Sequence, residues 1–355
     1  MIAASEPSRI EQERRLLRVD ASGVVHHHAR RDLARLLRPG DVVVANDAAT
    51  LPASLRGVHA PTGRAVEVRL AARRSLDARD ASRFRVVLFG EGDHRQRTED
   101  RPAPPRVEIG DRLVLAEGTL EARITAIDHP RLVDVHFEGS RGHVWEALAR
   151  HGRPIQYAHV PAPLRLWDVW TKIAGPPVAI ESPSAGFALD FRMLASLRAR
   201  GAPVHFLTHA AGLSSTGDAA LDALFPLDEP YEIPAPTALA VRRAQREGRR
   251  VVAIGTTVAR ALESSAREHG EVRPGAGLAT LRIDAHTPLH VVDVLLSGTH
   301  ERGTSHHALL AAFTDEDTLA RTDEALERER YLTHEFGDSV LVERRARPLA
   351  LAAAS

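Results

Sequence analysis

The sequence predicts an α/β fold, a mostly parallel sheet domain carrying an inserted small antiparallel β-barrel domain. Two observations lead there. Near both ends of the chain, short apolar runs alternate with helical segments, as strands joined by crossover helices do. Between them, from about Gly57 to Arg150, the texture changes to short alternating runs separated by Gly, Pro and Asp turns, the spacing of a small barrel or sandwich. The expected division is 1–57 with 151–355 for a discontinuous α/β domain and 58–150 for the insertion.

The chain is organised around Val251 to Ala266, VVAIGTTVARALESSA. Four apolar residues form a short run that Gly255, Thr256 and Thr257 break. Val258, Leu262 and Ala266 then recur four apart on one helical face. A buried parallel strand feeding a helix through a tight turn is expected, with Gly255 permitting the turn and a Thr capping the helix. The first-turn N–H groups then point outward at the carboxyl end of a strand, where α/β sheets bind ligands. Arg260 and Glu263 lie three apart and share a helix side. Taken alone, this stretch reads as a capped βα unit with a surface ion pair.

The remaining elements follow in order. Arg15 to Val19 and Gly23 to His27 alternate like a hairpin. The consecutive His26, His27 and His28 cannot all face one way on a strand, so an exposed strand end is favoured over a metal site. Asp32 to Leu37 reads as a short helix and Val42 to Ala45 as a buried strand ending in Asn46-Asp47. In the insertion the runs are Val66 to Leu70, Phe84 to Phe89, Arg112 to Ala116, Glu121 to Ile127 and Leu132 to Phe137, with a charged, Pro-rich loop over Asp93 to Pro105. Val144 to His151 reads as a helix. Beyond Pro154, strands over Pro176 to Ile180, Val204 to Thr208, His290 to Leu296 and Val340 to Glu343 alternate with helices over Asp190 to Arg200, Pro236 to Glu247, Thr304 to Phe313 and Asp315 to Tyr331. Gly275-Ala276-Gly277 follows Arg273-Pro274 rather than a strand and reads as a loop.

Strands ending at Ala45, Ile180, Leu207, Ile254 and Leu296 are each followed by a small polar loop. If they are parallel neighbours, those loops converge at one sheet edge. The pooled candidates are Asn46, Ser184, Gly186, His209, Thr256, Thr257, Arg260, Glu263 and His300.

Composition excludes several classes. Lys+Arg and Asp+Glu number 47 each, so no global field draws the chain to nucleic acid, although a local basic patch stays open. Lys172 is the only lysine. Cysteine is absent, which excludes disulfides, thiolate catalysis and cysteine–metal sites. No signal peptide or long apolar run is present, so a cytoplasmic protein is expected. No Walker A or G-x-S-x-G pattern supports a P-loop NTPase or an α/β-hydrolase. His300, His306 and His307 lack a clear carboxylate partner, so no metal site is expected.

Together the loops resemble the S-adenosylmethionine:tRNA ribosyltransferase-isomerase family of queuosine biosynthesis, from about Arg15 to Glu343. The family's G-D-L-L-V-x-N matches Gly40-Asp41-Val42-Val43-Val44-Ala45-Asn46, and its A-P-T-A-G matches Ser182-Pro183-Ser184-Ala185-Gly186. Its V-G-T-T-S-x-R-x-L-E-S matches Ile254 to Ser264, and its N-F-H-L-P-x-S-T matches Gly298 to Ser305. A late Y-G-D matches Phe336-Gly337-Asp338. There are departures. The histidine of A-G-L-H-F is replaced by Ala188. The L-H-V-G-A-G-T-F segment becomes His209 to Thr216, with the histidine displaced by one position and the second glycine lost. In H-x-x-H-x-E both histidines become Leu224 and Leu227, and only Glu229 remains. The Leu-Pro after the last histidine becomes Glu301-Arg302.

The resemblance implies an α/β domain with an inserted antiparallel barrel. It also implies transfer and isomerisation of the ribosyl part of the co-substrate S-adenosylmethionine onto 7-aminomethyl-7-deazaguanine in tRNA, giving epoxyqueuosine. That chemistry needs a base for an acidic sulfonium-adjacent proton, groups for the methionyl carboxylate, and help for departing adenine. On this reading Thr256, Thr257 and the helix N-terminus hold an anionic or hydroxyl group, and Gly255, Asn46, Ser184 and Gly186 line the pocket. Arg260 pairs with a carboxylate or phosphate, His300 is the base, and Glu263 orients Arg260 or is an alternative base. His209 and Glu229 fall on the substrate side. Three readings compete: the tRNA reaction, ribosyl transfer or cleavage with a small-molecule acceptor, and a non-catalytic tRNA- or nucleotide-binding homologue. Lost histidines and zero net charge favour the second, and motif order favours the first. No membrane contact is expected, and a monomer is the simplest assembly.

Overall fold

Val251–Ile254 is buried along its whole length in the computed structural model, which describes residues 1–8, 13–77 and 79–345. A strand covered on both faces reads as an unbroken apolar run, and its two faces feed two cores. Val251 and Ala253 join a cluster with Val44, Leu207, Val241 and Leu262. Val252 and Ile254 join one with Val43, Ala45, Met193, Leu197 and Leu296 on the opposite face.

This strand lies in the middle of a nine-stranded mixed sheet. Val204–His209, Val42–Asn46, Val251–Ile254 and Val294–Gly298 run parallel as consecutive neighbours. On one flank, Glu229–Ile233 pairs antiparallel with Val204–His209, and Gly275–Ala279 completes the edge. On the other, Ser339–Glu343 lies between Val294–Gly298 and Arg15–Val19. Arg15–Val19 pairs in turn with Val25–Ala29, the predicted hairpin.

Several expectations are corrected. Pro177–Ala179 is not in the main sheet but pairs with Ala49–Thr50 in a two-stranded parallel sheet, so four of the five pooled strands are sheet neighbours. Apolar runs reveal a strand but not its neighbour. Gly275–Ala279 is an edge strand, not a loop. A Cβ on Gly277 would lie 2.8 Å from Cε2 of Tyr231, so glycine lets this strand close over that ring. Gly255 itself, not a Thr, is the residue before helix Thr256–His269, and its φ of +101° favours glycine.

The insertion is a closed six-stranded antiparallel barrel, starting with Ser54–His59, ahead of the 57/58 boundary. Its interior holds Leu55, Val68, Val86, Leu113, Ile124 and Val135. Gly57 permits closure, since a Cβ there would strike the Val114 carbonyl and lie 2.8 Å from Leu115 Cα. Helix Arg141–His151, capped by the Ser140 side chain, leads out of it. Among the described residues no helix is long and apolar enough to cross a membrane.

Candidate active site

Asn46, at the carboxyl end of its strand, ties three candidate loops together. Its Oδ1 accepts from the backbone N–H of Ala48 and of His209, both at 3.0 Å. Its Nδ2 donates to the His209 carbonyl at 2.9 Å and to Thr257 Oγ1 at 3.3 Å. The side chain is 2% exposed, so these bonds form where water does not compete. Gly255 has no side chain to cap the helix, so no side chain caps the first-turn N–H groups. Ala185 sits against that turn, 3.5 Å from where a Gly255 Cβ would lie. The Ser184–Ala188 turn therefore adjoins the helix N-terminus. A Cβ on Gly186 would come within 3.0 Å of Thr171.

Beside these loops lies a buried charge network centred on Glu229. Its Oε1 accepts from the Gly212 N–H at 2.5 Å, and its Oε2 pairs with His209 Nε2 at 2.7 Å and with the Arg260 guanidinium. Arg260 donates further to the carbonyls of Leu281, Leu227 and Ala279, at 3.0, 3.1 and 2.8 Å. Burial opposes ionisation of Glu229, but Arg260, His209 and the Gly212 N–H outweigh it and hold the carboxyl down at about 2. An ionised carboxylate only accepts, so the proton on neutral His209 sits at Nε2 and Nδ1 keeps its lone pair. Burial lowers the His209 pKa, and its Nδ1 has no partner. Gly212 is needed because a Cβ there would lie 2.6 Å from the Ala71 carbonyl and 3.0 Å from Glu229 Oε1.

Arg260 and Glu263 are therefore not an ion pair. Glu263, 1% exposed, accepts from the backbone N–H groups of His290, Val291 and Val292 at 2.8 to 2.9 Å. It anchors the turn that launches Val294–Gly298. His300, past the end of that strand, stacks on His306 with ring centroids 4.3 Å apart. Burial, reinforced by its histidine neighbours, pushes the His300 pKa well down, leaving a neutral imidazole at pH 7. His306, also lowered by burial, lies within electrostatic reach of both Glu229 and Glu335. The Thr299–His300 loop is fastened to the following segment by Thr299 N–H to Asp338 O and His334 N–H to Thr299 O.

Sequence reasoning missed His159, His334, Glu335 and Tyr157. The His159 and His334 rings stack at 4.2 Å, and Glu335 pairs with His159 Nε2 at 3.3 Å. The spacing of 175 residues between the two rings carries no local periodicity that could have flagged them. The described residues contain no group of three or more His, Asp or Glu able to hold a metal ion.

A family model described as "Queuosine biosynthesis protein" matches residues 1–342. The S-adenosylmethionine:tRNA ribosyltransferase-isomerase of Symbiobacterium thermophilum is 30% identical over 351 residues, covering 96% of each chain. The enzyme of that name from Thermus thermophilus is 32% identical over 329 residues, covering 90% of this chain and 88% of its own. The crystal structure of S-adenosylmethionine tRNA ribosyltransferase from Thermotoga maritima superposes with a TM-score of 0.51 at 20% identity, covering 96% of both chains. It supports the fold.

Proposed function

Because the chain belongs to the family of queuosine biosynthesis proteins, we propose that it transfers and isomerises the ribosyl moiety of S-adenosylmethionine onto 7-aminomethyl-7-deazaguanine in tRNA, giving epoxyqueuosine. The observation that carries the reading is the convergence of the Asn46, His209 and Thr257 loops at the carboxyl ends of the parallel strands. Asn46 there joins the Thr257 turn to the His209 loop, and the Glu229 network closes one side.

The helix N-terminus at Thr256 and Thr257 suits an anionic or hydroxyl group of the co-substrate, because uncapped N–H groups and the helix dipole both favour one. Asn46, Gly255, Ser184 and Gly186 shape that pocket. Neutral His300 is a proton acceptor, as abstraction next to a sulfonium requires. Four of the five Arg260 N–H groups are taken by protein. Arg260 is thus a positioning residue that keeps Glu229 ionised, and Glu229 in turn fixes the His209 tautomer. Glu263 acts through the backbone turn it anchors.

A second reading, a small-molecule acceptor, is favoured by the balanced charge of the chain and by half-exposed Leu224, 41% exposed, where the family motif has a histidine. The test is adenine release from S-adenosylmethionine, with and without tRNA carrying the deazaguanine base. Release that requires that tRNA supports the first reading. Release without tRNA supports the second, and no release despite co-substrate binding refutes the first.

A further inference from the structure

Of the chain's nine Phe, three Tyr and three Trp, only Trp167, Trp170 and Phe191 are exposed, at 64, 40 and 76%. All three flank the Ser182–Gly186 loop in sequence. Helix Leu166–Val169 buries Val169. Trp167 lies two residues earlier, nearly opposite on the helix, and so faces solvent. The Arg165 guanidinium lies over its ring, 4.8 Å from the centroid. Trp170 is held by its Nε1–H, which donates to the Thr50 carbonyl at 2.9 Å. The segment is fastened to the candidate co-substrate loop: Ser182 Oγ donates to the Val169 carbonyl at 2.7 Å, and Thr171 lies against Gly186. Phe191 opens helix Phe191–Ala199, just beyond the same loop. Large aromatic rings left in water, with an arginine beside one of them, are the side chains that interfaces draw on most.

We propose that Trp167 and Trp170 form a stacking platform for the unpaired tRNA nucleotides next to the base that enters the candidate site. The proposal rests on the reading that tRNA carries the acceptor. An enzyme that does chemistry on a base must take that base out of its stack. The neighbouring bases then lose a stacking partner. An indole beside the site offers such a base a replacement face, whatever its identity, because every base has a flat π surface.

The charge beside the rings suits this occupant. Arg165, Lys172 and Arg192 are exposed. Asp168 is the only carboxylate between residues 165 and 175, and it is engaged by the Arg165 backbone N–H and guanidinium. Asp190 caps its own helix through the Met193 N–H. Cations set among exposed rings are what a site for single-stranded nucleic acid combines. Lys+Arg and Asp+Glu balance at 47 each, so no field of the whole chain supplies the affinity. Local stacking has to carry it.

The test is binding of tRNA carrying the deazaguanine base to the full chain, followed by filter retention and by indole emission, with S-adenosylmethionine affinity measured alongside. Wild type should bind with its emission quenched as bases stack on the indoles. Trp167→Ala should weaken tRNA binding about 5- to 100-fold, the scale of one base stacked on one ring, and leave S-adenosylmethionine affinity within about twofold. Trp167→Phe keeps a ring and should bind tRNA within about threefold of wild type. The Trp167 side chain is exposed, so its loss should leave Tm within about 2 °C. A loss below about fivefold in Trp167→Ala, or unquenched emission with tRNA bound, overturns the proposal alone. So does a wild-type dimer in sedimentation that Trp167→Ala dissociates, since the face is then a contact between copies of this chain. A wild-type protein that binds S-adenosylmethionine but no tRNA overturns the acceptor reading and the proposal with it.

Discussion

Arg260→Met tests whether the Glu229 network is built as described. Methionine keeps most of the volume and removes the guanidinium. Glu229 is then left with His209 and the Gly212 N–H, and the carbonyls of Leu227, Ala279 and Leu281 lose a donor. Removing one partner of a buried pair costs about 3–5 kcal/mol. At about 2–4 °C per kcal/mol for a domain of some 200 residues, Tm should fall by at least about 6 °C. The stranded carboxylate has one escape, which is to take up a proton. The loss should therefore be smaller at pH 5 than at pH 8, because burial without Arg260 raises the Glu229 pKa. Arg260→Met/Glu229→Gln should be more stable at pH 8 than Arg260→Met alone, since no buried charge remains. Thermal unfolding followed by circular dichroism at the two pH values reads all of this. A loss under about 1 kcal/mol, or one independent of pH, or additive costs in the double variant, would refute a buried charge network.

Other outcomes follow from the same geometry. Glu229 is held at about 2, below its unfolded value near 4.5. Its contribution to stability is thus complete above about pH 4.5 and lost as pH falls toward 2; urea unfolding of Glu229→Gln should show a flatter acid limb than wild type. Asn46→Ala strands the buried N–H groups of Ala48 and His209 at about 1–3 kcal/mol each. It should lower both Tm and affinity for S-adenosylmethionine, measured by calorimetry. Gly57→Ala drives a Cβ into the Val114 carbonyl and should cost about 1–3 kcal/mol, read as earlier proteolysis of the barrel with little change in co-substrate affinity. Replacing His300 by Asn should reduce adenine release about 100-fold or more if its imidazole takes the proton; an unchanged rate removes it from that role.

How much of this was legible in the sequence depended on whether the signal was local. Val251 to Ala266 announced its strand and helix because a buried strand and an amphipathic helix each write their own period. The barrel strands were readable in the same way. The edge strand Gly275–Ala279 was not, because Gly-Ala-Gly-Leu-Ala has no apolar pattern; it exists because Glu229–Ile233 offers an open edge and Gly277 clears Tyr231. Glu229 matched a motif, but its partners did not follow from spacing: Arg260 is 31 residues away and His209 is 20. Glu263 shares a helix side with Arg260 as predicted, yet serves the backbone ahead of the next strand. Tyr157 and Glu181 meet only because the path out of the barrel returns beside the Ser182 loop.

The place of Ser339–Glu343 between Val294–Gly298 and Arg15–Val19 sets a timetable for synthesis on the ribosome. The N-terminal hairpin emerges first, yet the strand it must pair with is among the last to be made. At about 5–20 residues per second, the hairpin waits on the order of tens of seconds. Its apolar Leu16 and Leu17, both buried in the finished fold, have no sheet to join meanwhile. A premature stop before residue 339 would leave two open edges rather than a shorter sheet.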